Sequence, residues 1–178
     1  WIPVLTVGTG RPATLAAIGL TLFSAGGAFG GLFASRLIDR FGVGAMGAVP
    51  LVAAVFVVAV GSMAFSDTGF LSMLFIVGFF VLGGHVGLMG SMGLFYANAN
   101  RANGVGWAIS IGKLGSIIGP AIAGILIAAN ASIGTLFMAA AAPLLIAGAG
   151  VVLLGRLQKA SDLAHATTAG HVADPLVS

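Results

Sequence analysis

The sequence contains no cysteine and no glutamate, and only 6% of its 178 residues are charged. Because thiols are absent, disulfide frameworks, thiolate metal sites and cysteine nucleophiles are excluded. A soluble domain carries about a quarter charged residues, so this chain cannot supply the polar shell that water requires. Its surface must therefore meet lipid over most of its area.

The few charged residues are scattered. The seven basic residues stand singly between apolar runs, so no basic stripe is present to bind nucleic-acid phosphates. The three histidines and four aspartates are mostly isolated as well, which argues against a metal cluster or any catalytic set of acids and bases. We therefore expect neither a metal ion nor an organic cofactor, and no enzyme activity.

Long apolar runs dominate the remaining sequence, with 59% hydrophobic residues and a mean hydropathy of +1.16. Charges, Asn, Pro and Gly separate these runs into predicted helical spans at about 12–35, 43–64, 70–95, 104–128 and 133–154. Each span is long enough to cross a hydrocarbon core of roughly 30 Å at about 1.5 Å per residue. The predicted fold class is an all-α membrane bundle of five transmembrane helices plus a partial sixth, whose end is residues 1–8.

Two boundaries are predicted for this bundle. The chain begins with Trp1 inside an apolar stretch, so we expect the true N-terminus to lie upstream. From residue 159 the sequence becomes polar, and we expect 159–178 to form a disordered cytoplasmic tail, with the bundle confined to 1–158.

The basic residues are distributed unequally between the two sides of the predicted bundle. The loops near 36–42 and 96–103 and the tail carry five of them: Arg36, Arg40, Arg101, Arg156 and Lys159. The opposite loops carry only Arg11. The positive-inside rule therefore predicts that the first set and the C-terminus lie in the cytoplasm.

Glycines recur at the four-residue spacing that brings two helices together. The pairs are Gly26/Gly30, Gly27/Gly31, Gly83/Gly87 and Gly115/Gly119. This spacing places both glycines of a pair on one helix face, where a neighbouring backbone can approach closely. The pairs are consistent with static packing and also with helices that rock past each other during transport.

One loop carries a recognisable motif, Asp39-Arg40-Phe41-Gly42, between two predicted spans. The motif resembles the cytoplasmic loop signature of the major facilitator superfamily, although Ser35 stands where that signature begins with Gly. The resemblance implies a structural or gating role for Asp39, Arg40 and Gly42. Physically, Asp39 suits a following helix N-terminus, and Gly42 permits a tight turn.

A second stretch is more specific. Residues 101–120 run from Arg101 through Gly104-Val-Gly106-Trp107-Ala to Lys113 and Gly119-Pro120. This stretch is similar to the loop and eleventh helix of the aromatic acid:proton symporters of that superfamily. The resemblance implies the C-terminal half of a twelve-helix transporter, from partial helix seven to helix twelve, driven by the proton-motive force and completed by an N-terminal six-helix half. It also implies a gating or structural role for Arg101.

Lys113 is the leading candidate for substrate binding. It lies about nine residues into its predicted span, roughly 14 Å deep, where transporters of this class bind their substrates. A lysine at that depth needs a wet cavity or a partner, and an organic carboxylate supplies one. Ser110 and Ser116 lie three residues to either side on the same helix face. The alternative is an acid from the other half of the protein that pairs permanently with Lys113.

His85 is a second candidate, because its ordinary pKa lies near neutrality and it lies within a span. It would hydrogen-bond the substrate or relay a proton. The alternative is a neutral histidine packed among apolar neighbours. Phenylalanines such as Phe29, Phe79 and Phe80 could stack on an aromatic ring, although most of the 12 must contact lipid or the core.

The sequence thus predicts a secondary transporter that moves a small organic anion, an aromatic carboxylate of the benzoate type, together with protons. A transporter of another small organic acid or of a sugar-like metabolite is an alternative within the class. A noncatalytic membrane scaffold also fits the composition, but it gives Lys113 no role. The predicted location is the bacterial inner membrane.

Overall fold

The computed structural model describes residues 2–8, 10–62, 65–95 and 101–172, all of which are helices or the short turns between them. The helices are α1 (Ile2–Gly8), α2 (Ala13–Phe41), α3 (Ala48–Ser62), α4 (Asp67–Ser91), α5 (Arg101–Ala128) and α6 (Ile133–Val172). Two 3₁₀ segments, Val43–Gly47 and Met92–Phe95, lead into α3 and out of α4.

Five stretches of the described chain are long and apolar enough to cross a membrane. They are Ala13–Phe41, Val43–Gly61, Asp67–Ser91, Arg101–Ala128 and Ile133–Leu157. With α1 as the end of a further helix, they confirm the predicted fold class of five transmembrane helices plus a partial sixth. The protein is an integral, multi-pass membrane protein.

The helices α2 and α4 form the most extensive contact of the bundle. They pack backbone against backbone: a Cβ added at Gly30 would meet the carbonyl oxygen of Phe79, and one at Gly83 would meet the backbone of Gly30. A Cβ at Gly26 would meet the carbonyl oxygen of Phe75. In lipid, where apolar burial does not drive helices together, this close approach supplies van der Waals contact.

A second pair consists of α6 with α3 and the 3₁₀ segment before it. Gly44 and Gly155 face each other there, and a Cβ at Gly61 would meet the side chain of Phe137. Between the two pairs lies the apolar core. Its buried members are Ala54, Val57, Val60, Phe70, Leu74, Val77 and Ala141.

The helix α5 lies apart from these pairs. Its contacts are sparse and are made mainly with α6 and the 3₁₀ segment Met92–Phe95, and none of its residues is buried in the described structure. The predicted glycine contacts are accordingly confirmed for three pairs but not for Gly115/Gly119, where an added Cβ would meet no atom within 4 Å.

The helices α2 and α6 end later in the sequence than predicted. Phe41 rather than residue 35 ends α2, because Gly42, with φ +76°, terminates the helix by donating its N–H to the carbonyl of Ile38 at 2.8 Å. The last helix continues as a backbone helix to Val172, past the predicted boundary at 158. The assignment of 159–178 as a separate cytoplasmic tail remains a prediction.

Arg11, the one basic residue assigned to the outer loops, connects two of those loops. Its Nε donates to Asp67 Oδ1 at 3.2 Å, and its Nη2 donates to the carbonyl oxygen of Phe65 at 2.9 Å. The guanidinium carbon lies 4.4 Å from the ring centroid of Phe70. This set of contacts, the Arg11 clamp, joins the α1–α2 loop to the start of α4.

We predict that Arg11→Gln destabilises the protein more than Asp67→Asn does. Asp67 is 64% exposed, so its ion pair contributes less than about 1 kcal/mol. Arg11→Gln also removes the contacts with the Phe65 carbonyl and the Phe70 ring, which brings the expected loss of stability to about 2 kcal/mol. Thermal unfolding of the purified variants in detergent checks this order. Equal losses would show that the ion pair alone accounts for the clamp.

Candidate functional site

Lys113 lies near the middle of α5, and its side chain is exposed in the described structure. The described residues form one ion pair, between Arg11 and Asp67. Among these residues, no carboxylate therefore lies within 4.0 Å of the Lys113 ammonium. The lysine is therefore available to an anion from outside this bundle. Its depth in the membrane remains a prediction.

Two serines, Ser110 and Ser116, lie three residues to either side of Lys113 on α5. Ser110 donates its hydroxyl to the carbonyl of Gly106 at 2.8 Å, which leaves the oxygen lone pairs free to accept. Ser116 is exposed one turn further on. Pro120 has no N–H, so the carbonyl of Ser116 loses its helical donor four residues later. This face thus combines one cation with several hydrogen-bond acceptors.

His85 lies on α4 and is also exposed. The structure does not bring it together with Lys113 in one described contact, because α5 does not pack along the body of α4. The roles of both side chains in substrate binding remain predictions.

The four predicted loop residues lie at helix ends. Asp39 and Arg40 occupy the exposed last turn of α2, and within the described residues Asp39 forms no hydrogen bond with the next helix. The guanidinium carbon of Arg40 lies 5.4 Å from the Phe41 ring centroid. Arg101 begins α5, and its side chain passes close to Gly93. Of the roles predicted for these four residues, the described structure shows the turn at Gly42.

The phenylalanines contact each other. The Phe29 and Phe75 ring centroids are 6.2 Å apart, and those of Phe33 and Phe79 are 5.5 Å apart. Phe79 also meets Phe80 edge-on at 5.2 Å. The Phe80 ring is in turn stacked at 5.5 Å on Phe56 of α3. These rings form an aromatic surface across α2, α4 and α3, which sequence reasoning missed even though the four-residue spacings 29/33 and 75/79 were visible.

A cavity of about 270 Å³ lies inside the bundle, among α1, α2, α3, α4 and α6. Apolar side chains line it, and Thr6 contributes the polar group of the lining. It contains no cation and none of the predicted site residues. A carboxylate would have no positively charged partner there, so this cavity is not the predicted anion site.

Comparison with known proteins assigns the fold to a family. The family model described as Major Facilitator Superfamily matches residues 1–176. No solved structure matches the chain at a significant level.

Several characterised relatives are similar in sequence to this chain, at modest identity. The 3-(3-hydroxy-phenyl)propionate transporter of Escherichia coli is 33% identical over 171 residues, which cover 91% of this chain and 41% of that protein. The benzoate transport protein of Acinetobacter baylyi is 27% identical, over 70% of this chain and 27% of its own length. The 4-hydroxybenzoate transporter of Pseudomonas putida is 28% identical, over 90% of this chain and 36% of its own length.

The chain thus spans less than half the length of these relatives. All three are transporters of aromatic acids by name, which confirms the resemblance carried by the Asp39–Gly42 loop and the Arg101–Pro120 stretch. The three relatives are named as transporters, and none of the three names denotes an enzyme. The chain belongs to the Major Facilitator Superfamily.

Proposed function

We propose that the protein is a secondary active transporter that moves a small aromatic carboxylate of the benzoate type by proton symport and alternating access. The observation that carries the proposal is the similarity to three transporters named for aromatic acids, over 70–91% of this chain. The exposed lysine in the middle of a transmembrane helix supports it, because such a cation is costly in lipid unless an anion or water meets it.

In this proposal Lys113 binds the carboxylate, and Ser110 and Ser116 accept or donate hydrogen bonds beside it. His85 contacts the substrate from α4. The described part of the chain has no acidic residue in the middle of a span, so the proton-carrying acid lies in another bundle of the same protein. That bundle is the N-terminal six-helix half, and the two halves rock about the bound substrate.

The proposed location is the bacterial inner membrane, with the C-terminus in the cytoplasm. The five basic residues of the cytoplasmic set support this orientation. The outer exception, Arg11, is neutralised by Asp67 at 3.2 Å. No cofactor is required in this scheme, since the proton-motive force supplies the energy.

Uptake by the complete transporter, reconstituted in proteoliposomes, tests the proposal. Labelled benzoate and 3-hydroxybenzoate are expected to accumulate when the vesicle interior is alkaline, because each anion enters with a proton. A protonophore is expected to abolish the accumulation. Liposomes without protein provide the background, since protonated benzoic acid crosses lipid unaided.

Two outcomes would contradict separate parts of the proposal. Saturable accumulation above the external concentration that persists with the protonophore would exclude proton coupling. Saturable uptake of a non-aromatic organic acid or a sugar, without competition from any aromatic acid, would favour the alternative substrates.

A further inference from the structure

The C-terminal half of α2 carries two phenylalanines and two arginines on one face. Phe29, Phe33, Arg36 and Arg40 recur at intervals of four, three and four residues. At about 100° per residue, this spacing confines the four positions to an arc of about 60° around the helix axis. All four residues are exposed in the described structure. We call them the α2 row.

The two rings of the row form its apolar part. Phe29 is 61% exposed and Phe33 is 48% exposed. The centroid of the Phe29 ring lies 6.2 Å from that of Phe75 on α4, and the centroid of the Phe33 ring lies 5.5 Å from that of Phe79. Each ring of the row thus contacts α4 and still presents a large part of its surface outward.

The two arginines of the row have no acidic partner in the part of the chain that the structure describes. The ion pair found there joins Arg11 to Asp67, and neither Arg36 nor Arg40 has a carboxylate oxygen within 4.0 Å. Asp39 is close in sequence, but it lies about 100° from Arg40 around the helix axis. Two positive charges therefore lie one helical turn apart, where a negatively charged group can contact both.

The Arg40 guanidinium also contacts an aromatic ring. Its central carbon lies 5.4 Å from the Phe41 ring centroid, and Phe41 is 64% exposed. A guanidinium over a ring keeps its N–H groups, which lie in its own plane, available for hydrogen bonds to an oxyanion. Phosphate oxygens suit this arrangement, because arginine binds them through two N–H groups at once.

The length of the row agrees with the thickness of a lipid leaflet. From Arg40 to Phe29 the row descends eleven residues, or about 16 Å at about 1.5 Å per residue. One leaflet of the hydrocarbon core is about 15 Å thick, half of roughly 30 Å. With the arginines at the level of the headgroups, the rings therefore lie at the depth of the acyl chains.

We propose that the α2 row binds an anionic phospholipid, with the phosphate on Arg36 and Arg40 and an acyl chain along Phe29 and Phe33. Anionic headgroups attract basic residues near the membrane surface, and exposed rings bury apolar area against a chain. Two arginines alone would also attract free phosphate, and two rings alone would also accept an apolar helix. Their order along one helix face matches the order of the groups in a phospholipid. The inference is independent of the solute that the protein moves.

Native mass spectrometry of the complete transporter in detergent tests the proposal. Dioleoyl phosphatidylglycerol is titrated into the delipidated protein, and dioleoyl phosphatidylcholine, which has the same chains and no net charge, is the comparison lipid. Arg36→Gln and Arg40→Gln each remove one charge from the row. Arg156→Gln is the matched control, because Arg156 is an exposed arginine near the end of the α6 span, outside the row.

We expect phosphatidylglycerol to bind more tightly than phosphatidylcholine. Arg36→Gln and Arg40→Gln are each expected to weaken phosphatidylglycerol binding about fivefold, the effect of one basic residue near an anionic surface. Arg156→Gln is expected to leave it unchanged. Equal binding of the two lipids would overturn the proposal. Equal losses in all three variants would also overturn it, since surface charge in general would then account for the binding.

A competition experiment separates a lipid from a free anion. Inorganic phosphate in excess is expected to leave phosphatidylglycerol bound, because the free anion makes no contact with Phe29 and Phe33. Displacement of the lipid by inorganic phosphate would contradict the proposal, since the rings would then contribute nothing.

Photocrosslinking identifies what covers the rings. Incorporation of p-benzoylphenylalanine in place of Phe29 keeps an aromatic side chain there and, on illumination, couples it to a neighbouring C–H bond. In proteoliposomes that contain phosphatidylglycerol, we expect the crosslinked product to carry the lipid. A product that joins this position to another segment of the transporter would refute the proposal, because the row would then be an interface between helices.

Discussion

Replacing Gly30 with valine is expected to remove most of the folded protein from the membrane. A Cβ at this position would meet the carbonyl oxygen and Cα of Phe79, and the facing Gly83 already meets the backbone of Gly30. Backbone atoms cannot rotate away as a side chain can, so the two helices must separate. We expect a loss of about 3 kcal/mol or more, the upper range for overpacking. Fluorescence-detected size exclusion after heating measures the loss.

Gly90→Val is the matched control, because Gly90 is an exposed glycine of α4 where an added Cβ would meet no atom within 4 Å. Its effect is expected to stay within about 1 kcal/mol, because valine is no worse a helix former than glycine. Gly30→Ala is expected to lie between the two. If Gly30→Val and Gly90→Val unfold at the same temperature, close backbone contact does not hold α2 to α4.

The glycine spacing predicted helix contacts but not their partners. Gly26 and Gly30 lie on one face by periodicity alone, yet the spacing does not specify that this face meets α4 and not α3. Gly115 and Gly119 have the same spacing without a partner in the described structure. A pair of small residues indicates only that a neighbouring helix can approach closely. Which helix makes it depends on the whole bundle.

Helix ends were predicted less well than helix existence, for a physical reason. Charge ends a membrane span but does not end a helix, and Arg36, Asp39 and Arg40 are tolerated in the exposed last turns of α2. The helix ends at Gly42, where the backbone adopts a positive φ. The same argument explains why α6 continues through the polar residues after Leu157.

The candidate site was predictable in part. The depth of Lys113 follows from helix rise, and its polar neighbours Ser110 and Ser116 follow from periodicity. The sequence did not predict the separation of His85 from Lys113, because that separation depends on where α5 packs.

Lys113→Met is expected to lower the apparent affinity for benzoate roughly 30-fold or more, equivalent to about 2 kcal/mol, because the carboxylate loses its charged partner in a desolvated site. The measurement is the concentration dependence of proton-driven uptake by the complete transporter. Lys113→Arg keeps the charge and is expected to retain part of the affinity, with altered geometry. Arg156→Met, an exposed basic residue near the end of the α6 span, controls for the loss of one positive charge.

Thermal stability separates substrate binding from a structural role for this lysine. If Lys113 binds the transported anion, Lys113→Met raises the KM and leaves the melting temperature without substrate unchanged. If Lys113 instead pairs permanently with an acid of another bundle, its removal leaves that acid uncompensated, and the melting temperature falls. An unchanged KM and rate would remove Lys113 from the site. The carboxylate would then need another cation in the protein, since no second lysine or arginine lies in the middle of a span among the residues that the structure describes.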